Sequence, residues 1–146
     1  MTVTKVFTFD MGHRLSNYQG KCRKFHGHTY ILYVTLEGVK DKLGMVIDFS
    51  ALKDLVQGYI DGFDHRMLVK AGDELNEAVA KLVPEKDWFV FVNYNPTVEN
   101  IAQDIYNTIS GIDVLMINKV HVKSVKLYET PTSFAEVDSY VFPIQI

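Results

Sequence analysis

Hydrophobic and polar positions alternate with a period of two at both ends of the chain and follow a helical period between them. Over residues 3–13, Phe7, Phe9, Met11 and His13 share one parity, and Thr8, Asp10 and Gly12 take the other, which predicts a strand. A polar loop follows from Ser16 to Lys24. Residues 26–37 predict a second strand, with His26, His28, Tyr30, Leu32, Val34 and Leu36 on one face and Thr29, Thr35 and Glu37 on the other. The apolar face of each strand therefore ends in histidine at the same loop, and a hairpin would bring all three imidazoles together.

Gly38 to Gly44 reads as a charged turn. Asp48 is placed to cap a helix over 49–61, with Phe49, Leu52, Leu55, Val56, Tyr59 and Ile60 on one side. Gly62-Phe63-Asp64-His65 forms the helix exit, a short helix is expected over 73–82, and Trp88 to Val92 reads as a short strand. Asn95-Pro96 predicts the start of a further helix, Asn95 as cap and Pro96 in the first turn, with Val98, Ile101, Ala102, Ile105 and Ile109 along its apolar side. Residues 119–129 and 134–142 predict two closing strands. In the first, the apolar parity shifts from Val120 and Val122 to Val125 and Leu127, which places a bulge near Lys123. This order predicts an α+β fold, an antiparallel sheet with helices covering one face. No linker interrupts the chain, so residues 1–146 read as a single domain with an insertion around 66–94.

Composition narrows the function classes. A hydrophobic fraction of 47% and a charged fraction of 23% are ordinary for a soluble globular protein. A net charge of −3 gives no reason to expect nucleic acid as a partner, and no apolar run reaches membrane-spanning length. With one cysteine and no signal-peptide pattern at the N-terminus, a cytoplasmic location is expected.

Reactive residues concentrate in Cys22-Arg23-Lys24-Phe25-His26-Gly27-His28. Strand residues at i and i+2 point the same way, about 7 Å apart. Two such imidazoles can share one zinc ion, and His13 from the facing strand supplies a third ligand, leaving the fourth position open as in catalytic zinc sites. Cys22 as fourth ligand would instead close the site. Lys21, Arg23 and Lys24 beside Cys22 favour its reactive thiolate. Asp64-His65 is a second acid–base candidate, because a carboxylate orients an imidazole and poises it near neutrality. Arg14, Lys21, Arg23 and Lys24, with no acidic residue among them, suggest an anionic substrate near the metal. A carboxylate at the end of a strand, Glu129, could accept paired N–H donors from a heterocycle. His121 has no partner pattern and reads as structural or exposed.

These elements resemble, in order and over nearly the whole chain, the family of 6-pyruvoyl-tetrahydropterin and 6-carboxytetrahydropterin synthases. The matching pieces are Phe9-x-x-x-His13, Cys22-x-x-x-His26-Gly27-His28-x-Tyr30, Gly44-Met45-Val46-Ile47-Asp48-Phe49, Asp64-His65, Pro96-Thr97-x-Glu99-Asn100 and Tyr128-Glu129-Thr130. The resemblance implies Zn2+ held by His13, His26 and His28, Cys22 as catalytic base, and Asp64 and His65 as its acid–base partners. It implies Glu129 as the anchor of the pterin ring, with Thr97 and Glu99 among the substrate-binding residues. The fold it implies is the tunnelling fold, a four-stranded antiparallel sheet carrying two helices, joined between subunits into a barrel. A homo-oligomer, trimer or hexamer, is implied, with active sites between subunits.

The three-residue spacer between Cys22 and His26 is similar to the 6-carboxytetrahydropterin branch. That branch converts 7,8-dihydroneopterin triphosphate to 6-carboxy-5,6,7,8-tetrahydropterin, acetaldehyde and triphosphate in queuosine and 7-deazapurine biosynthesis. Two alternatives stand beside it: a 6-pyruvoyl-tetrahydropterin synthase, which eliminates triphosphate without cleaving the C–C bond, and a non-catalytic zinc- or pterin-binding module. The chain departs from the family pattern at Met11-Gly12, where two small residues are usual, at Val69, and in the length of segment 66–94.

Overall fold

A computed structural model describes residues 1–112 and 119–139. Its strands are β1 (Thr2–Arg14), β2 (His26–Glu37), β3 (Met67–Lys70), β4 (Phe89–Val92), β5 (His121–Thr130) and β6 (Ser133–Asp138). Its helices are α1 (Phe49–Ile60), α2 (Glu74–Ala80) and α3 (Val98–Ser110). The strands form one sheet in the order β4-β3-β1-β2-β5-β6.

The expected four-stranded antiparallel unit is present as β1, β2, β5 and β6. The expectation of four strands and two helices is corrected in its count. Segment 66–94 adds two strands, both parallel to their neighbours, with α2 in the crossover between them. Met67-Leu68-Val69-Lys70 is too short to show a period, and Leu68 and Val69 are both buried, so alternation could not reveal β3.

The core lies between one sheet face and the helices. Phe7, Phe9 and Met11 of β1, Leu32, Val34 and Leu36 of β2, and Val125 and Leu127 of β5 pack with Leu52, Val56 and Ile60 of α1 and Ile101, Ala102, Ile105 and Ile109 of α3. Phe49, expected on the apolar side of α1, stays exposed. Two half-buried tyrosines tie the helix layer together: Tyr59 and Tyr94 donate to the same Asp104 carboxylate oxygen at 3.0 and 2.8 Å. Burial, then Asp104, pushes the Tyr59 hydroxyl up to about 12.

Local signals set the ends of the elements. Asp48 accepts from the Ser50 N–H at 2.7 Å and caps α1 as expected. The cap of α3 is Thr97, which accepts from the Asn100 N–H at 3.3 Å, and not Asn95. Asn95 is drawn away because its side chain pairs with the backbone of Ser16. Lys123 is the bulged residue: Thr35 faces Ser124 and Leu36 faces Val122, with Lys123 skipped. Residues 140–142 of the last expected strand lie outside the described residues.

Leu32 of β2 is fully buried in the core cluster it shares with α1 and α3. Leu32→Ala is expected to lower the unfolding free energy by about 2–5 kcal/mol. Urea melts of the two proteins measure the difference.

Candidate metal centre and acid–base site

The pairing of β1 with β2 places His13 directly opposite His26 and Met11 opposite His28. Side-chain parity puts all three histidines on the helix-covered face, beyond Met11 and Tyr30. Their candidate ligand nitrogens lie within 4.8 Å of one another. Gly27 lets the strands close here, since a Cβ on it would stand 3.2 Å from the Met11 carbonyl oxygen.

Backbone carbonyls orient two of the rings. His13 Nδ1 donates to the Pro96 carbonyl at 2.7 Å, and His26 Nδ1 to the Lys24 carbonyl at 2.8 Å. With Nδ1 protonated, each Nε2 presents its lone pair to the cluster. The Nε2 atoms of His13, His26 and His28 are all buried without a hydrogen-bond partner.

A fourth acceptor joins them. Glu129 shares the parity of Val125 and Leu127, so it faces the same side as Tyr30. A register shift between Tyr128 and Thr130 aims its carboxylate at the histidines. Its Oε1 lies 3.4 Å from His13 Nε2 and 4.0 Å from His28 Nε2. This is not an ion pair near neutral pH. Burial holds His13 and His28 below the usual imidazole value, and neighbouring imidazoles push the same way, against the raising effect of Glu129. The Nε2 atoms of the three histidines thus converge, with Glu129 Oε1 close to two of them, an arrangement that suits a divalent cation.

The Tyr30 hydroxyl is the other orphan of this pocket. Burial raises its pKa far beyond the usual phenol value, with Glu129 and then Cys22 adding to the effect, so it remains a neutral donor. The sequence marked Tyr30 as core. Its position two residues past His28, on the same face, was the available signal. The carbonyls of Pro96 and Lys24 carried no signal of their own.

Cys22 sits half-buried in the 3-10 turn Lys21–Arg23. It does not belong to the cluster of ligand atoms, so the closed Cys–His site is not assembled among the described residues. Of the four basic residues expected to attract an anion, Arg14 is otherwise engaged: it pairs with Asp73 at 2.9 Å. Thr97 spends its hydroxyl on the α3 cap, and Glu99 is exposed in the first turn of that helix. His121 is exposed, with Nε2 3.2 Å from Glu37.

Asp64 and His65 are joined to each other, His65 Nδ1 lying 3.0 Å from Asp64 Oδ2. Both are clamped to Asp10. The Asp10 N–H donates to Asp64 Oδ1 at 2.9 Å, and the His65 N–H donates to the Asp10 carbonyl at 2.7 Å. The Asp10 N–H, followed by His65, lowers the Asp64 pKa. His65 adopts the left-handed region at φ 58°, and its side chain is 77% exposed. Asp10 has the opposite parity to Phe9 and Met11, and Thr29 donates to its carboxylate at 2.5 Å. The acid–base pair is therefore held against the backbone of β1 and lies outside the cluster of ligand atoms. His65 borders a cavity of about 750 Å3 that is also lined by His28 of the cluster, with Asp10, Thr29, Arg66 and Phe89.

The family model for 6-pyruvoyl tetrahydropterin synthase matches residues 2–139. The chain belongs to the 6-pyruvoyl tetrahydropterin synthase family. Within this family it is 39% identical over 137 residues to a 6-carboxy-5,6,7,8-tetrahydropterin synthase of Rickettsia bellii, covering 92% of this chain and 97% of that protein. It is also 39% identical over 140 residues to the enzyme of that name from Haemophilus influenzae, covering 92% of this chain and 96% of the relative. The solved 6-pyruvoyl tetrahydropterin synthase of Caenorhabditis elegans shares the fold, with a TM-score of 0.69 at 24% identity over 94% of each chain. Among the described residues, no helix is long and apolar enough to cross a membrane.

The lowered pKa values of His13 and His28 give metal-free protein a defined acid sensitivity. Both imidazoles are neutral when folded, so their contribution is fully present above the ordinary value of 6.5 and is lost as pH falls through the lowered folded values. The urea midpoint of chelator-treated protein is expected to fall between pH 7.5 and 5.5. A His13→Leu protein should show a flatter dependence in the same melts.

Proposed function

We propose that this chain is a zinc-dependent carbon–carbon lyase, a 6-carboxytetrahydropterin synthase acting in queuosine or 7-deazapurine biosynthesis. The reaction takes 7,8-dihydroneopterin triphosphate and water to 6-carboxy-5,6,7,8-tetrahydropterin, acetaldehyde and triphosphate. The observation that carries this reading is the convergence of three buried, unpartnered Nε2 atoms in a chain so similar to relatives bearing that enzyme's name.

His13, His26 and His28 hold the zinc, which when bound supplies Lewis acidity toward the oxygens of the substrate side chain. Glu129 holds the edge of the pterin ring, with Tyr30 beside it. Thr97 and Glu99, at the start of α3, stand at the rim. Cys22 as thiolate removes a side-chain proton. His65, oriented by Asp64, exchanges protons with the adjacent hydroxyl. Triphosphate then leaves by elimination, and C–C cleavage releases acetaldehyde.

The position of Asp64-His65 supports a site shared between chains. The pair is fixed to the backbone of Asp10 and stands outside the ligand cluster of its own chain, and in this reading it serves the metal centre of a neighbour. A cytoplasmic homo-oligomer, trimer or hexamer, follows from this reading, with the small pterin triphosphate as its other partner. Residues 1–146 then act as one domain, with 66–94 as its insertion.

Incubation with dihydroneopterin triphosphate should yield acetaldehyde and triphosphate in equal amounts. Triphosphate without acetaldehyde would assign the pyruvoyl reaction instead. Cys22→Ala is expected to retain its zinc and lose about 10²–10⁴-fold in kcat. Loss of zinc in that variant would make Cys22 a ligand.

Mixing inactive Cys22→Ala and His65→Ala subunits, unfolded and refolded together, should restore part of the activity. Some sites would then combine an intact Cys22 with an intact His65. No recovery in verified mixed oligomers would place both groups in one chain's site.

A further inference from the structure

Segment 66–94 reaches the candidate site through a buried polar knot. Asn76 of α2 is fully buried, a costly place for an amide unless its hydrogen bonds are met. Its Nδ2 donates to the Lys70 carbonyl at 3.0 Å and lies 3.5 Å from Ser16 Oγ. Its Oδ1 accepts from Arg14 Nη1 at 2.9 Å. The same Arg14 nitrogen lies 2.9 Å from Asp73 Oδ2, and Asp73 also caps α2 through the N–H groups of Leu75 and Asn76. Arg14 immediately follows His13 in β1.

Ser16 is gripped from its other side by Asn95. Asn95 Oδ1 accepts from the Ser16 N–H, and its Nδ2 donates to the Ser16 carbonyl, both at 2.8 Å. Asn95 adjoins Pro96, whose carbonyl orients His13. Next to Ser16, the Leu15 N–H donates to the Cys22 carbonyl at 2.9 Å and closes the loop that carries the thiol. The knot and this closure are therefore adjacent along the backbone, and a shift in one moves the other.

We infer that Asn76 and Asp73 are positioning residues: through Arg14 and Ser16 they hold the Leu15–Cys22 closure, and so set where the Cys22 thiol stands relative to His13. This rests on the proposed role of Cys22 as base. It gives segment 66–94 a function in the reaction beyond widening the sheet. A polar network of this kind has directional bonds and tolerates few alternative arrangements, whereas an apolar contact would let the loop slide.

The test uses zinc-loaded, full-length protein. Asn76→Ala is expected to keep its zinc and a KM within about twofold of the parent, while kcat falls about tenfold or more. Cys22 is the only cysteine, so its alkylation by iodoacetamide reads the loop without substrate. Release of the loop should speed alkylation about fivefold, measured well below the melting temperature. Leu75→Ala, an exposed neighbour on α2, should match the parent in both readings. If Asn76→Ala does not fold, Asp73→Asn serves: it keeps a capping side chain, removes the charge beside Arg14, and should shift both readings in the same direction. Parental kcat and alkylation in a folded variant with a lowered melting temperature would overturn the inference, leaving the knot purely structural. A parent protein that releases no acetaldehyde would sink the proposed reaction, while the alkylation result would still judge the knot.

Discussion

The register between β1 and β2 is the constraint on which the rest of the site depends. His13 meets His26 across the pair because the same alignment continues through Phe7 with Leu32 to Thr2 with Glu37. A slip of one residue would turn every side chain of one strand to the opposite face. It would expose Phe7, Phe9 and Met11, or Tyr30, Leu32, Val34 and Leu36, and scatter the imidazoles. The burial that stabilises the fold therefore holds the metal centre in alignment. Each buried Leu or Phe contributes about 1.5–3 kcal/mol to that register, far more than the histidine contacts could supply alone.

The pocket built on this register is electrostatically incomplete in a directed way. Carbonyls of Pro96 and Lys24 take the Nδ1 protons, and Glu129 brings negative charge to face the freed lone pairs. Burial removes the water that would otherwise satisfy them. The arrangement costs folding free energy without a cation, and a cation bound there would offset that cost and couple metal binding to stability. Tyr30 stands in the same pocket as a buried neutral hydroxyl, the one donor among these acceptors.

The second constraint is the backbone of β1 at Asp10. Asp64 and His65 are fixed there by the Asp10 N–H and carbonyl. Segment 66–94 lengthens the sheet on the β1 side and lines the cavity beside His65. Through Asn76 and Asp73 it also returns to the end of β1, next to His13. One stretch of chain thus borders the cavity at His65 and bonds the strand end that carries His13.

The sequence by itself determined the hairpin of β1 and β2, the histidine cluster, the cap at Asp48, and the bulge at Lys123. Each is encoded locally, in parity or in the chemistry of one or two residues. Tertiary structure decided the rest. β3 is too short to carry a period, and the parallel pairing of β3 with β1 and β4 is a contact between distant segments. Asn95 has the chemistry of a cap, yet Ser16, distant in sequence, competes for its side chain and leaves the cap to Thr97. Arg14 reads as a free cation until Asp73 and Asn76 enclose it. Glu129 reads as a charged strand end until the shift beside it turns the carboxylate toward His13. In each case the deciding partner lies far along the chain, so only folding could bring the two together.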